Sequence, residues 1–295
     1  MLRALVGILS FIVTFFIGFL LVPNFQDVHH IPLSKMEAIV TATPANIAVR
    51  SKTEGDEFDP EFRDLPNYDD IVYPEGEDLI DVFETGGIYR ESEVIAKTGQ
   101  NWLTLFERNG KYSLAIAGTK VTKKRTISYP GDDFDVQLSF DKSGVPIFAV
   151  GKLKGLKPGA ITTLYHRPSS EEIDRRNLPI EAMKTGFKRE FNLNDNWYTL
   201  RVSQGLTKNG ATVGVLVLEN NKMSQVIAQN YHDPKHGEII GELFWVGDLD
   251  NDGKLDLYFD EFNEKGAFGV GLYLSSHAEP DGLVKLAAIF GTAGC

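Results

Sequence analysis

The sequence predicts a mainly β protein: an internally duplicated antiparallel β domain, two units of about 95 residues, behind an N-terminal transmembrane helix. Three observations predict it. One uncharged apolar run of nineteen residues lies near the N-terminus, short alternating runs bounded by Gly, Asn and Asp begin near residue 85, and one order of motifs occurs twice. At 295 residues and 42% hydrophobic, the chain has enough apolar surface for a sizeable core, which excludes disorder throughout. The expected organisation is an anchor over residues 1–23, an acidic linker over 24–84, a β unit over 85–168, a short helical connector over 169–184, and a second β unit over 185–295.

Residues 4–22 (ALVGILSFIVTFFIGFLLV) carry no charge, with Ser10 and Thr14 as the polar interruptions, and are long enough to span a bilayer as a helix. Arg3 and the amino terminus precede the run and the next basic residue is Lys35, so the positive-inside rule puts the N-terminus in the cytoplasm. The expectation is a single-pass protein of the inner membrane with its C-terminal domain periplasmic or extracellular. Leu21, Val22, Pro23, Asn24 and Phe25 lack the small-x-small pattern of a cleaved signal, which favours a retained anchor. The chain has no lipobox cysteine and no Asn-x-Ser/Thr sequon, both in keeping with a bacterial envelope protein.

Between Glu54 and Asp81 stand twelve acids and one base, Arg63; the excess of eleven equals the whole net charge of -11. Pro60, Pro66 and Pro74 exclude a helix there. This stretch reads as a solvated spacer rather than an arm for a cationic partner, with Phe58, Phe62, Tyr68 and Tyr73 able to pack part of it on the domain as a strap. The acidic balance excludes a nucleic-acid partner held by phosphate neutralisation.

Beyond the linker, residues 102–107 (WLTLFE), 112–117 (YSLAIA), 213–219 (VGVLVLE) and 243–247 (LFWVG) read as strands. Thr85-Gly86 with Arg90-Glu91 recurs as Thr185-Gly186 with Arg189-Glu190, and NWLTL from Asn101 recurs as NWYTL from Asn196. YSLAIAG from Tyr112 answers to TVGVLVL from Thr212, IFAVG from Ile147 to LFWVG from Leu243, and Leu164-Tyr165 to Leu257-Tyr258, at offsets of 93 to 100 residues. On this alignment Trp102 and Trp197 are equivalent core positions. Ser169 to Glu172 has capping-box spacing and opens the expected connector helix, which runs to about Lys184 and is interrupted by Pro179.

One segment carries chemistry. Asp248, Asp250, Asp252 and Asp256 occupy loop positions 1, 3, 5 and 9, with Gly253 to bend the backbone. Alternating aspartates in a tight loop aim carboxylates at one centre, the Lys254 carbonyl adds an oxygen, and Asp256 closes the shell from the next strand. An EF-hand closes with Glu at position 12, where this chain has Phe259, and the flanks LFWVG and LDLYF read as strands. The expectation is a β-hairpin loop holding one structural calcium ion. In the first unit Lys152 and Lys154 stand where Asp248 and Asp250 stand in the second, so that loop is expected to be metal-free.

Residues 244–260 (FWVGDLDNDGKLDLYFD) resemble the FG-GAP or VCBS-type repeats of integrin α-chain propellers and bacterial surface proteins. The resemblance implies calcium held by Asp248, Asp250, Asp252 and Asp256 with the Lys254 main-chain oxygen. It covers seventeen residues, and the chain carries the loop once where propellers repeat it in each blade. Residues 272–295 also resemble the tail of uncharacterised bacterial envelope proteins.

Other patterns carry less. Pro234 and Gly237 disfavour a helix that would bring His232 and His236 together on zinc, and His29-His30 reads as juxtamembrane linker. Ser139 to Lys142 and Lys184-Thr185-Gly186 match elements of penicillin-recognising enzymes, but Ser139 ends a strand instead of opening a helix. Cys295, the single cysteine, excludes an intrachain disulfide. The expected function is non-catalytic recognition or scaffolding of an envelope protein or glycan, and the rival is a calcium-stabilised hydrolase of glycan or peptide.

Overall fold

Alternating side chains and turn-forming Asn, Asp and Gly yield sixteen strands and two short 3-10 turns among the described residues. The computed structural model describes residues 60–66, 80–85, 88–90, 94, 96–125, 134–151, 153–167, 182–231, 239–264 and 267–293. The expected anchor lies outside them, as do most of the linker and residues 169–181 of the expected connector. No helix among the described residues is long and apolar enough to cross a membrane.

The strands are β1 (Ile80–Glu84), β2 (Ile88–Arg90), β3 (Asn101–Arg108), β4 (Lys111–Arg125), β5 (Phe134–Phe140), β6 (Val145–Val150), β7 (Gly159–His166) and β8 (Ala182–Lys184). They continue as β9 (Lys188–Leu193), β10 (Asn196–Leu206), β11 (Thr212–Asn220), β12 (Ser224–Tyr231), β13 (Ile239–Asp248), β14 (Asp256–Glu264), β15 (Ala267–Leu274) and β16 (Lys285–Ala293). Turn chemistry sets the hairpin registers. Asn109-Gly110 joins Arg108 to Lys111 and Asn194-Asp195 joins Leu193 to Asn196, all four residues at φ between 51° and 72°. Two-residue turns with both φ positive match the right-handed twist of the strands they connect.

Nine strands close a barrel in the order β4, β3, β6, β1, β16, β15, β14, β13, β7. The ring is completed by β7 returning to β4, with Tyr112 opposite Ile161 and Leu114 opposite Gly159. Every pairing in the ring is antiparallel except β1 with β16. The far half of β4 leaves the ring to pair with β5, which carries β2, and β8 adds to the start of β13. Strands β9 to β12 form a separate four-stranded meander.

Packing explains why the sequence is apolar without alternation over Leu243 to Val246 and Leu257 to Phe259. Trp245 and Tyr258 belong to the barrel core with Leu105, Leu114, Phe148 and Leu272. Leu243, Val246, Leu257 and Phe259 pack instead with Phe191, Tyr198, Leu200 and Leu218 beneath the four-stranded sheet. Strands buried on both faces need apolar residues at every position. The Trp245 indole N–H is satisfied inside the barrel by Thr163 Oγ1 at 2.9 Å.

The outer face of the four-stranded sheet is partly covered by the acidic linker. Residues 60–66 lie along it, with Phe62 and Leu65 buried on Val213, Val215 and Val217. Leu65 forms a parallel bridge with Thr207, donating to Leu206 O at 3.1 Å and accepting from Lys208 N at 2.9 Å. Phe62 is thus the strap residue expected from the sequence; Phe58, Tyr68 and Tyr73 lie outside the described residues.

Three expectations change. Residues 182–184, placed at the end of a connector helix, are strand β8, because Met183 is fully buried and pairs with Gly241. Trp102 is a core residue, 3% exposed, but Trp197 is 54% exposed. The middle of β3 is buried on both faces, whereas in β10 Tyr198, Leu200 and Val202 take the inward positions and Trp197 points out. The two units also differ in strand order. The meander β3–β4–β5 matches β10–β11–β12, and β1–β6 matches β8–β13, but β6 pairs with β3 while β13 pairs with β7, β8 and β14 instead of β10.

The strap makes a sharp test of this packing. A Cβ on Gly205 would lie 2.6 Å from Leu65 Cδ1, 2.8 Å from Val215 Cγ2 and 3.0 Å from Phe62 O, whereas a Cβ on Gly159 meets nothing within 4 Å. Gly205→Ala should destabilise the domain by about 1–3 kcal/mol in urea unfolding, and Gly159→Ala should stay within about 0.5 kcal/mol.

Candidate metal centre

The loop between β13 and β14 is held by its own carboxylates. Gly247 opposes Asp256 across the hairpin, so the strand register alone places Asp248 at the end of β13 beside Asp256 at the start of β14. A Cβ on Gly247 would lie 2.2 Å from Thr162 O and 2.5 Å from the Trp245 ring, so glycine lets β7 press against this end of the hairpin. Asn251 and Gly253, at φ 60° and 83°, turn the chain back.

Five backbone N–H groups donate to these acids. Asp248 accepts from Asp252 N and Gly253 N, each at 3.0 Å, and Asp250 Oδ1 from Asp252 N at 3.2 Å. Asp252 Oδ1 accepts from Lys254 N at 2.8 Å, and Asp256 from Leu249 N at 2.7 Å and Ser275 N at 2.8 Å. The Ser275 hydroxyl lies 3.0 Å from Asp256 Oδ1 and 3.0 and 3.1 Å from the two Asp252 oxygens.

Asp248, Asp250 and Asp256 each bring a carboxylate oxygen within 4.8 Å of the others. Asp256 is fully buried, and Leu249 and Leu255 beside it are buried too. Asp250 Oδ2 is buried with no hydrogen-bond partner. Burial pushes the Asp256 carboxyl well above its ordinary value of 3.8, and the neighbouring Asp250 charge adds to the rise. Burial also raises Asp248, against the Gly253 N–H that favours its charged form. The nearest Lys254 Nζ approach is 3.9 Å, to Asp252 Oδ2, from an exposed side chain. Converging carboxylates, one of which keeps an orphaned oxygen, with no cation among them, fit a hard divalent ion.

The structure therefore brings together three of the expected residues. Asp252 stands beside them, turned to Ser275, and Lys254 enters through its N–H. Sequence reasoning missed Ser275, which opens a 3-10 turn (Ser275–His277) after β15, nineteen residues beyond Asp256. It also missed the second sheet: Asn194 Nδ2 donates to Gly253 O at 3.3 Å, and the buried Tyr198 phenol, pushed up by burial, bonds to the Leu255 backbone. No local spacing links these residues to the loop, so no motif could have found them.

In the first unit, Lys154 is exposed and its carbonyl lies 3.4 Å from His277 Nε2; Lys152 lies outside the described residues. No other group of three acidic, histidine or cysteine side chains converges in this way among the described residues. His29, His30, His232, His236 and Cys295 lie outside them, and Ser139 sits in β5. No protein-family model, curated protein or solved structure matches the chain.

The raised carboxyls set a pH dependence for the metal-free protein. A carboxyl whose folded pKa exceeds its unfolded value keeps its proton longer in the folded state, so stability falls as pH rises through the window above 3.8. In chelator, lowering the pH from about 7 towards 5 should raise the melting midpoint, and Asp256→Asn should flatten that slope.

Proposed function

We propose that the chain is a membrane-anchored, extracytoplasmic domain for recognition or scaffolding, non-catalytic, and stabilised by one calcium ion in the β13–β14 loop. The observation that carries the calcium reading is the convergence of Asp248, Asp250 and Asp256, one of which, Asp250, keeps a buried oxygen without a partner. Asp248, Asp250 and Asp256 would hold the ion, with Asp252 and the Lys254 carbonyl completing the shell. A bound calcium supplies positive charge where buried carboxylates otherwise repel. Ser275 and the N–H groups keep the oxygens aimed.

The apolar run over residues 4–22 supports the anchor, and the placement beyond the membrane suits a site of the weak extracellular type. The repeated motif order reads as a duplication whose second meander became a separate sheet. The partner class is an envelope protein or glycan.

Calcium removal tests the reading. With an assumed dissociation constant of ~10⁻⁴ M and ~2 mM free calcium, linkage contributes about 1.8 kcal/mol. Chelation should then lower the melting midpoint by roughly 4 to 7 °C. Asp250→Asn keeps the acceptor for Asp252 N but removes a charge, so it should erase the calcium increment and leave the chelated protein as stable or more so. Lys154→Ala should preserve the increment. Equal midpoints for the wild type in calcium and in chelator would refute the site.

A further inference from the structure

We propose that the outer face of the four-stranded sheet, at the β9–β10 hairpin, is a saccharide-binding surface centred on Trp197. The inference rests on reading the domain as a recognition module, and its readout is separate from that of the calcium ion. Of the three tryptophans, Trp102 and Trp245 are in the barrel core and Trp197 is exposed. The inward positions of β10 are already filled by Tyr198, Leu200 and Val202, so folding asks for nothing large at 197. Ile116 and Val145 are exposed to a similar degree, and the Trp197 indole differs from them in offering a broad flat face with a polar N–H.

Elsewhere on the same face apolar surface is covered. Val213, Val215 and Val217 are covered by Phe62 and Leu65. That strap runs parallel to β10 and bridges it at Thr207, ten residues from Trp197 and therefore roughly 30 Å along the strand. Its aromatic residue reaches the Arg201 guanidinium, 5.4 Å from the Phe62 ring. Among the described residues the Trp197 end of the face is left open.

The neighbours of the ring select the ligand class. Asn192 lies directly across from Trp197 on β9, Thr199 follows on the same face, and Asp195 stands exposed in the adjoining turn. They offer an amide that both donates and accepts, a hydroxyl, and a carboxylate that accepts. Four charges on the strands of this face are matched in pairs, Lys188 with Glu190 at 2.8 Å and Arg201 with Glu219 at 2.7 Å. An ionic ligand gains little from such pairs. An uncharged pyranose with equatorial substituents fits: its C–H face covers the indole and its hydroxyl rim meets the Asn192 amide, the Thr199 hydroxyl and the Asp195 carboxylate. The hairpin is also stiff, being closed by a two-residue turn and tied to Gly253 O through Asn194. Little ordering is lost on binding such a surface.

Trp197, as the exposed tryptophan, reports on its own site. Full-length protein in detergent micelles is titrated with cellotetraose and with N-acetylchitotetraose, in calcium and again in chelator. At least one sugar should blue-shift the emission saturably at millimolar concentration and protect it from acrylamide. In affinity electrophoresis, Trp197→Ala should weaken retention about tenfold or more at an unchanged melting midpoint, while Trp197→Tyr should keep most of it. No emission change and no retention with either sugar, or equal retention by Trp197→Ala, overturns the proposal. Acrylamide protection in the sugar-free full chain would assign the face to the chain's own N-terminal segment, and a response to oligolysine alone would assign it to a cationic peptide; either also overturns it. The calcium-dependent midpoint is a separate readout, so either reading can fail without the other.

Discussion

The hairpin β13–β14 has to belong to two hydrophobic cores at once, and the rest of the molecule is arranged around that demand. Trp245 and Tyr258 fill the barrel while Leu257 and Phe259 fill the layer under the four-stranded sheet. A hairpin buried on both faces has little freedom to slip, because a one-residue shift would exchange its two sets of side chains. Its connecting loop is then forced to turn beside apolar residues, where every backbone N–H needs a partner. The aspartates meet that need by accepting from four N–H groups of the loop and from Ser275 N, and they bring more negative charge than those dipoles offset. A cation site is a natural outcome of capping a doubly buried hairpin with acids.

The other layers stack on this pair. Tyr198 and Asn194 bring the second sheet against the loop, and Ser275 brings the end of β15. The strap then closes the far end of the second sheet, using Gly205 as the point of closest approach. Loop and strap thus secure opposite ends of β10 by different means, one by polar contacts and one by apolar burial.

Much of the strand content was legible because period-two alternation and turn residues act locally. The strands expected from WLTLFE, YSLAIA, VGVLVLE and LFWVG are all present. The acidic loop was legible for the same reason, since positions 1, 3, 5 and 9 lie within one turn of chain. Closure of the barrel was not, because the short β4–β7 pairing and the parallel β1–β16 pairing depend on long-range geometry. Trp197 was misread because one motif, Asn-Trp, sits in a strand buried on both faces in one unit and on one face in the other. Ser275 was invisible because its contact with Asp256 is made by a neighbouring strand's end.

The parallel pairing of β1 with β16 also constrains the order of assembly. Ile80 lies beside Ala288, so 288 − 80 = 208 residues separate the two sides of that seam. As synthesis proceeds from the N-terminus, β1 and β6 can join early, but the ring stays open until β16 arrives. Until then β1 presents an unsatisfied edge, the kind of surface that pairs with other chains. Such a late seam predicts slow, high-contact-order folding and an interval in which a holding chaperone has something to hold.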